Sequence, residues 1–367
     1  MSNQKNVVFL SRLYYPHVGG VEKHVEKLSD SLVAKGYKVT IITEKYSKNL
    51  KTTELYKGVT IVRIPVSKSE FLKKYFIWIG LLKHMHQLFN ADVIHCHDVF
   101  FWVLPYRLIL PFKKIYTTFH GYEGNSLPTM RAVVMHRVAA SLSNGNLTIG
   151  SFYKKWYGTR ASQISYGAVD VVTKRLIEGQ LFHKKVADRV TTQKKKVLRV
   201  LYIGRLVEEA GIRVYLEALT LMSNKNTLFK LFVLGDGVLL NFCIRYAKKN
   251  NINVHFKGFE PNADGHISKF DICFVSRYLS ILEALAQGKP VFAVYNNEIK
   301  KDYLLKTPFS KFITICKSAD ELTNELLNYG KNPNKYNKIT RMGYEWAKTQ
   351  TWEVMAKKYE RLWGRSI

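Results

Sequence analysis

The apolar positions of this chain fall into two successive series, in which short apolar runs alternate with stretches of helical spacing. In the first series Val7–Ser11 is a short buried run, a glycine-containing loop follows, and a helical pattern extends from about Val21 to Lys35. Gly36 stands just past the last helical position, where a left-handed residue ends a helix, and Tyr37–Thr43 is the next strand-like run. Val59–Ile64, Ala91–His97, Lys114–His120 and Asn146–Ser151 repeat the strand character, with helical segments between them. Parallel strands need crossover helices, so this alternation predicts a mostly parallel sheet covered on both faces.

Around Asp170 the rhythm breaks. Leu181–Lys196 is polar and closes on the lysine run Lys194–Lys196, the composition of a connecting segment. A second series then opens with strand Val197–Gly204, helix Glu209–Met222, strand Phe229–Leu234 and helix Val238–Lys249. It continues through strands Val254–Gly258 and Asp271–Ser276, helix Ser280–Gln287 and strand Pro290–Val294. The pattern predicts an α/β chain of two Rossmann-like domains, residues 1–172 and 173–350, facing a central cleft at the carboxyl ends of their sheets. A last helix within 351–367 is expected to cross back to the first domain.

Size agrees with two domains, because 367 residues exceed the ~250–300 at which one core stops growing. The formal charge of +29 calls for a partner of opposite sign: nucleic acid, anionic lipid, or counterions. The lysines are scattered through both halves, not gathered along one face, and no zinc-finger spacing appears, so a nucleic-acid partner is not expected. Cys96, Cys243, Cys273 and Cys316 lie far apart, mostly in apolar runs, and read as buried free thiols of a reducing compartment. No apolar stretch approaches the ~20 residues of a spanning helix, and Met1–Leu10 suits a strand better than a signal peptide. The expected location is cytoplasmic. Ser69–Phe89 sets lysines around an aromatic-rich apolar centre, which suits either a crossover helix or peripheral contact with an anionic membrane surface.

Six short motifs carry candidate chemistry. Pro16-His17-Val18-Gly19-Gly20-Val21-Glu22 is a strand-to-helix loop whose glycines let backbone amides approach a ligand, though a tight turn alone also explains it. His95-Cys96-His97-Asp98 ends a strand, and alternation puts both histidines on one face; a metal site is the lesser reading. His120, in Thr117-Thr118-Phe119-His120-Gly121, is placed at a strand's carboxyl end to meet a substrate or to serve as a hydrogen-bonded structural residue. Arg205, in Gly204-Arg205-Leu206-Val207-Glu208-Glu209, suits a diphosphate or a pairing with the glutamates that follow. Leu234-Gly235-Asp236-Gly237 is a second glycine loop. Ser280 and Glu283 stand at the spacing of a capping box.

In this order and separation the motifs resemble the retaining glycosyltransferases of the glycogen-synthase-like GT-B fold, the family-4-like bacterial mannosyl- and glucosyltransferases among them. The strongest parts are Gly19-Gly20-Val21-Glu22, Gly204-Arg205, Gly235-Asp236-Gly237, and Leu282-Glu283-Ala284 followed by Gly288-Lys289-Pro290-Val291. The resemblance implies a hexosyltransferase that uses a UDP- or GDP-sugar and a glycan or lipid-linked acceptor, without a metal or other cofactor. It makes His120 catalytic and facing the sugar, Arg205 the partner of the diphosphate and Glu283 the holder of the ribose. Gly19, Gly20, Gly235 and Ser280 join the donor site, and His17 and His97 stand on the acceptor side. Two departures bear on the donor. The family's lysine before Gly211 is replaced by Ala210, and Tyr278 runs directly into Leu279 as though Glu-Gly-Phe-Gly were removed, so that the family's first glutamate falls on Val275. Arg277 and Lys289 are candidate replacements, and a catalytically weakened donor-binding protein is the alternative.

Overall fold

A computed structural model of the chain describes residues 4–122, 127–170, 197–225 and 227–364. The polar segment Leu181–Lys196 and the expected domain boundary at 172/173 lie outside the described residues. The described residues group into two compact units, the first made of 4–122, 128–166 and 352–364, the second of 127, 167–170, 197–225 and 227–351.

The first unit holds an eight-stranded sheet: β1 (Asn6–Ser11), β2 (Lys38–Lys45), β3 (Thr53–Tyr56), β4 (Val59–Pro65), β5 (Val93–His97), β6 (Ile115–Phe119), β7 (Gly145–Ile149) and β8 (Gln163–Ser165). Their spatial order is β3-β4-β2-β1-β5-β6-β7-β8, parallel throughout apart from the antiparallel β3–β4 pair. Every residue of β5, β6 and β7 is buried, as a strand covered on both faces requires. The helices are α1 (Gly20–Ala34), α2 (Glu70–Lys83), α3 (Met85–Asn90) and α4 (Met130–Leu142), with a single helical turn at Tyr153–Trp156 and the last helix described below. Gly36 has φ +82° just beyond α1, the left-handed turn expected there.

The second unit is built on β9 (Leu198–Ile203), β10 (Phe229–Leu234), β11 (Val254–Gly258), β12 (Ile272–Phe274), β13 (Val291–Val294) and β14 (Thr314–Cys316). Their order, β11-β10-β9-β12-β13-β14, is the doubly wound arrangement, and its winding reverses between β9 and β12. Its helices are α5 (Ile212–Ser223), α6 (Leu240–Lys249), α7 (Tyr278–Ala286), α8 (Glu298–Leu305), α9 (Ala319–Lys331) and α10 (Pro333–Ala347). The buried face of α5, Tyr215, Leu216, Leu219 and Met222, packs with Val200, Leu231 and Phe274 of the strands.

The structure corrects the sequence reading in three places. The segment Glu208–Ala210 is a 3-10 turn, and the α-helix starts only at Ile212, after Gly211 in the left-handed region. The helix expected over Ser280–Gln287 begins at Tyr278, with Arg277 in the cap position, so Ser280 lies inside the first turn and its hydroxyl donates to the Arg277 carbonyl at 3.1 Å. No capping box forms there. Finally, the structure adds the edge strands β3 and β8, together with all elements between Val294 and the last helix, none of which the apolar pattern predicts.

That last helix, α11 (Trp352–Leu362), belongs to the first unit. It is anchored by polar contacts as well as apolar ones. Glu360 accepts from Lys35 and from the Tyr37 hydroxyl, while Tyr359 and Trp363 reach the buried histidines at the centre of the sheet.

Candidate functional site

Each unit gathers its candidate residues at the carboxyl edge of its own sheet, beside the strand pair where the winding reverses. In the first unit that pair is β1 and β5, and the Gly19-Gly20 loop, His97 and His120 follow β1, end β5 and follow β6. A Cβ on Gly19 would sit 2.3 Å from a carboxylate oxygen of Glu22, whereas one on Gly20 would meet nothing within 4 Å. At Gly19 the obstacle is the movable carboxylate end of Glu22, so neither glycine has a fixed steric reason among the described residues to lack a side chain. His17 is partly exposed and its Nδ1 lies 3.2 Å from Glu22.

Behind this loop lies a buried histidine cluster whose proton positions follow from its partners. The Trp363 indole can only donate, and it does so to His95 Nδ1 at 3.0 Å. The remaining His95 nitrogen then carries the proton and donates to the Thr118 hydroxyl at 2.7 Å. Thr118 lies 2.9 Å from the Tyr359 hydroxyl, which lies 2.9 Å from His24 Nε2, so the chain resolves as Thr118 to Tyr359 to His24. Burial pushes His24 and His95 down to about 3, which keeps both neutral.

His97 and His120 form a second pair, Nδ1 to Nε2 at 2.8 Å. His97 Nε2 is buried with no hydrogen-bond partner among the described residues. An orphaned buried acceptor is tolerated better than an orphaned N–H, so the proton of His97 belongs on Nδ1, donating to His120. His120 then carries its own proton on Nδ1, the nitrogen left for a ligand. Burial, with His24 and His95 as neighbours, holds His120 well below the ordinary imidazole range, so it is neutral and able to donate one hydrogen bond. This placement corrects the expectation for His97. At 1% exposure its ring is a buried partner of His120 and not a group on the acceptor side. Among the described residues, no group of three or more His, Cys, Asp or Glu side chains is arranged to hold a metal ion.

In the second unit the reversing pair is β9 and β12, followed by Arg205 and Arg277. The Tyr202 hydroxyl donates to the Arg205 carbonyl at 2.8 Å and fixes the loop. The Arg205 side chain is 73% exposed and pairs with Glu209 at 3.6 Å, while Arg277 approaches the same carboxylate oxygen at 4.0 Å. The ammonium of Lys300, from the first turn of α8, donates to the Glu209 carbonyl at 3.1 Å. Two guanidinium groups thus share the Glu209 carboxylate, and Lys300 holds the backbone carbonyl of the same residue. Nothing in the sequence signals Lys300, which lies far along the chain from the other members.

Gly235 has a packing reason for its identity: a Cβ there would stand 1.9 Å from the Gly204 carbonyl oxygen, so the two loops touch backbone to backbone. Glu283 and Leu279 share the partly exposed stripe of α7, whose other residues are buried. Lys289 is at the wrong edge to replace a donor contact. It precedes β13, and its ammonium donates to the Ser268 carbonyl at 2.8 Å.

The comparisons with known proteins agree with this architecture. Residues 18–173 match the model of Glycosyltransferase Family 4, and residues 184–346 match that of Glycosyl transferases group 1. A human phosphatidylinositol N-acetylglucosaminyltransferase component is 29% identical over 98 residues, a match that takes in 26% of this chain and only 20% of that protein. Sucrose-phosphate synthase from Thermosynechococcus elongatus superposes with a TM-score of 0.75 at 16% identity, over 98% of both chains. The Anabaena protein HepE, solved in complex with UDP-glucose, gives 0.69 at 13% identity, over 97% of this chain and 99% of its own. The fold and site therefore define a two-domain glycosyltransferase architecture. The chain belongs to the GT-B glycosyltransferases, with a family-4 first half and a group-1 second half.

Proposed function

We propose that the chain transfers a hexose, with retention, from a UDP- or GDP-sugar held on the second unit to a lipid-linked or glycan acceptor. The observation that carries this reading is the set of cations at the reversing edge of the second sheet, Arg205 and Arg277 around Glu209 with Lys300 beside them. Departure of a nucleoside diphosphate develops negative charge, and fixed cations stabilise it without reorganisation. That supply of charge is why the reaction needs no metal, and turnover unchanged by a chelator is the corresponding check. His120 faces the sugar as a neutral donor, and Glu283 holds the ribose. The relative solved with UDP-glucose supports a UDP-sugar.

A membrane-borne acceptor is supported by α2. The helix packs inward through Ile77 and Leu81, while Leu72, Tyr75, Phe76, Ile79 and Leu82 form an outward stripe, each at least 40% exposed. Tyr106, hydrogen-bonded to the Trp78 carbonyl, leads into a loop whose Leu108 and Phe112 are 89% and 97% exposed. No helix among the described residues is long and apolar enough to cross a membrane. This face docks on an anionic lipid surface, to which the chain's charge adds attraction.

The test is a thermal-shift screen of nucleoside diphosphates and their sugars, followed by assay of free diphosphate release from the donor that binds. Stabilisation by none of them defeats the proposal. Stabilisation without release favours the second reading, a catalytically weakened donor-binding protein, for which Ala210 and the buried Val275 at the place of the first glutamate speak.

A further inference from the structure

Lys300 is buried to 1% exposure, and its ammonium has three donors to satisfy. One goes to the Glu209 carbonyl at 3.1 Å; no partner for the other two exists among the described residues, apart from the Tyr303 ring, whose centroid lies 5.4 Å away. The nearby Glu209 carboxylate is already shared by Arg205 and Arg277. A buried cation without its own counter-ion is costly to keep, and apolar replacement of such groups is often neutral or stabilising. Its position is not accidental in the backbone. Asn297 caps α8 by accepting from the Lys300 N–H at 2.8 Å, and Asn296 donates to the Glu208 carbonyl at 3.2 Å. Two neighbouring side chains, Asn296 and Lys300, thus grip the 208–210 turn. The carbonyl that Lys300 holds belongs to the peptide joining Glu209 to Ala210, the residue standing where the resemblance places a lysine.

We propose that the Lys300 ammonium is a phosphate-binding cation of the second unit, acting with Arg205 and Arg277 on the diphosphate of a nucleotide-sugar and replacing from α8 the cation missing at Ala210. This inference rests on the donor reading given above. Burial and the neighbouring Arg277 hold Lys300 well below the ordinary lysine range, and an arriving polyanion acts in the opposite direction, favouring the ammonium.

The experiment compares UDP with uridine, and GDP with guanosine, on the wild-type protein and on Lys300→Met, by calorimetry. The expected result is a diphosphate affinity weakened about tenfold to a hundredfold, a nucleoside affinity unchanged, and a melting temperature no lower than wild type. An unchanged diphosphate affinity, or equal weakening of diphosphate and nucleoside, overturns the inference and makes Lys300 a structural staple of the 208–210 turn. If the wild-type protein binds neither diphosphate, the donor reading itself fails. Should Lys300→Met not fold, Lys300→Gln answers instead: a diphosphate affinity weakened about tenfold to a hundredfold with the nucleoside affinity unchanged supports the assignment, and an unchanged diphosphate affinity overturns it.

Discussion

Acid should unfold the first unit before the second. His24 and His95 are buried in the first unit and held down to about 3, against about 6.5 in an unfolded chain. Below pH ~6.5 the unfolded state therefore binds protons that the folded state refuses, and stability falls with pH through the window from there to about 3; above it the effect is flat. At pH 5 each group has lost about 2 kcal/mol, roughly 1.36 kcal/mol for each unit below 6.5. Two groups give ~4 kcal/mol, a large part of the ~5–15 kcal/mol that holds a typical domain. His97 and His120, also lowered by burial, act in the same direction. In the second unit the described histidines are His255, which is exposed, and His266, which is half-buried and lies 3.7 Å from Glu260.

For a unit of this size ~4 kcal/mol corresponds to a fall of about 8–16 °C in melting temperature. Scanning calorimetry at pH 7.5 and pH 5.0, with each transition assigned by hydrogen-exchange protection of peptides from 4–122 and from 197–351, reads it directly. Phe in place of Tyr359 is a control on the cause. It removes the hydroxyl between Thr118 and His24, costs about 1–3 kcal/mol at pH 7.5, and opens the cluster, so the further loss on acidification shrinks. A first-unit transition that stays in place between the two pH values, or one that moves no more than its neighbour, would refute the reasoning that these imidazoles are neutral and shielded.

Three further outcomes follow from the same geometry. His120→Asn should lower kcat by about a hundredfold or more while leaving UDP affinity within about twofold, measured by diphosphate release and calorimetry, because the proposed function sets the ring against the sugar and not the nucleotide. Arg205→Met should weaken UDP by about tenfold to a hundredfold and leave uridine alone, since the proposed function gives the guanidinium to the diphosphate. The double variant Phe76→Ser, Ile79→Ser should reduce flotation with acidic vesicles at low salt by about a hundredfold or more, two large apolar side chains being worth roughly 3–6 kcal/mol together; undiminished flotation would remove α2 as the docking face.

The two sheets are readable in the sequence because parallel strands buried on both faces are continuous apolar runs, and β10 and β11 have the bounds that the pattern predicts. The edge strands escape for the opposite reason. β3 alternates exposed and half-buried residues, and β8 has three residues, so neither carries an apolar run. The helix caps show how a local pattern underdetermines its place. Ser280 and Glu283 have capping-box spacing, yet the backbone turns helical one residue after the extended Arg277 and leaves the serine inside the helix. Ser318 and Glu321 have the same spacing, and there the serine does cap, accepting from the Glu321 N–H at 3.2 Å. What separates the two is where the preceding strand ends, a tertiary fact.

The site divides in the same way. Arg205, His120 and the glycine loops sit immediately after strands, so strand periodicity alone puts them on the carboxyl edge. Lys300 follows β13 through a helix cap and reaches back across 91 positions to the Glu209 carbonyl, a contact that exists only because β9, β12 and β13 are neighbours in the sheet. Lys289, closer to the motif in sequence, lies at the other end of β13 and points away from the site. Proximity along the chain points to Lys289, and strand order points to Lys300. In a doubly wound sheet the carboxyl ends of adjacent strands share one edge whatever their separation in sequence, so the search for a displaced charge belongs among residues that follow strands, not among those that neighbour the lost one.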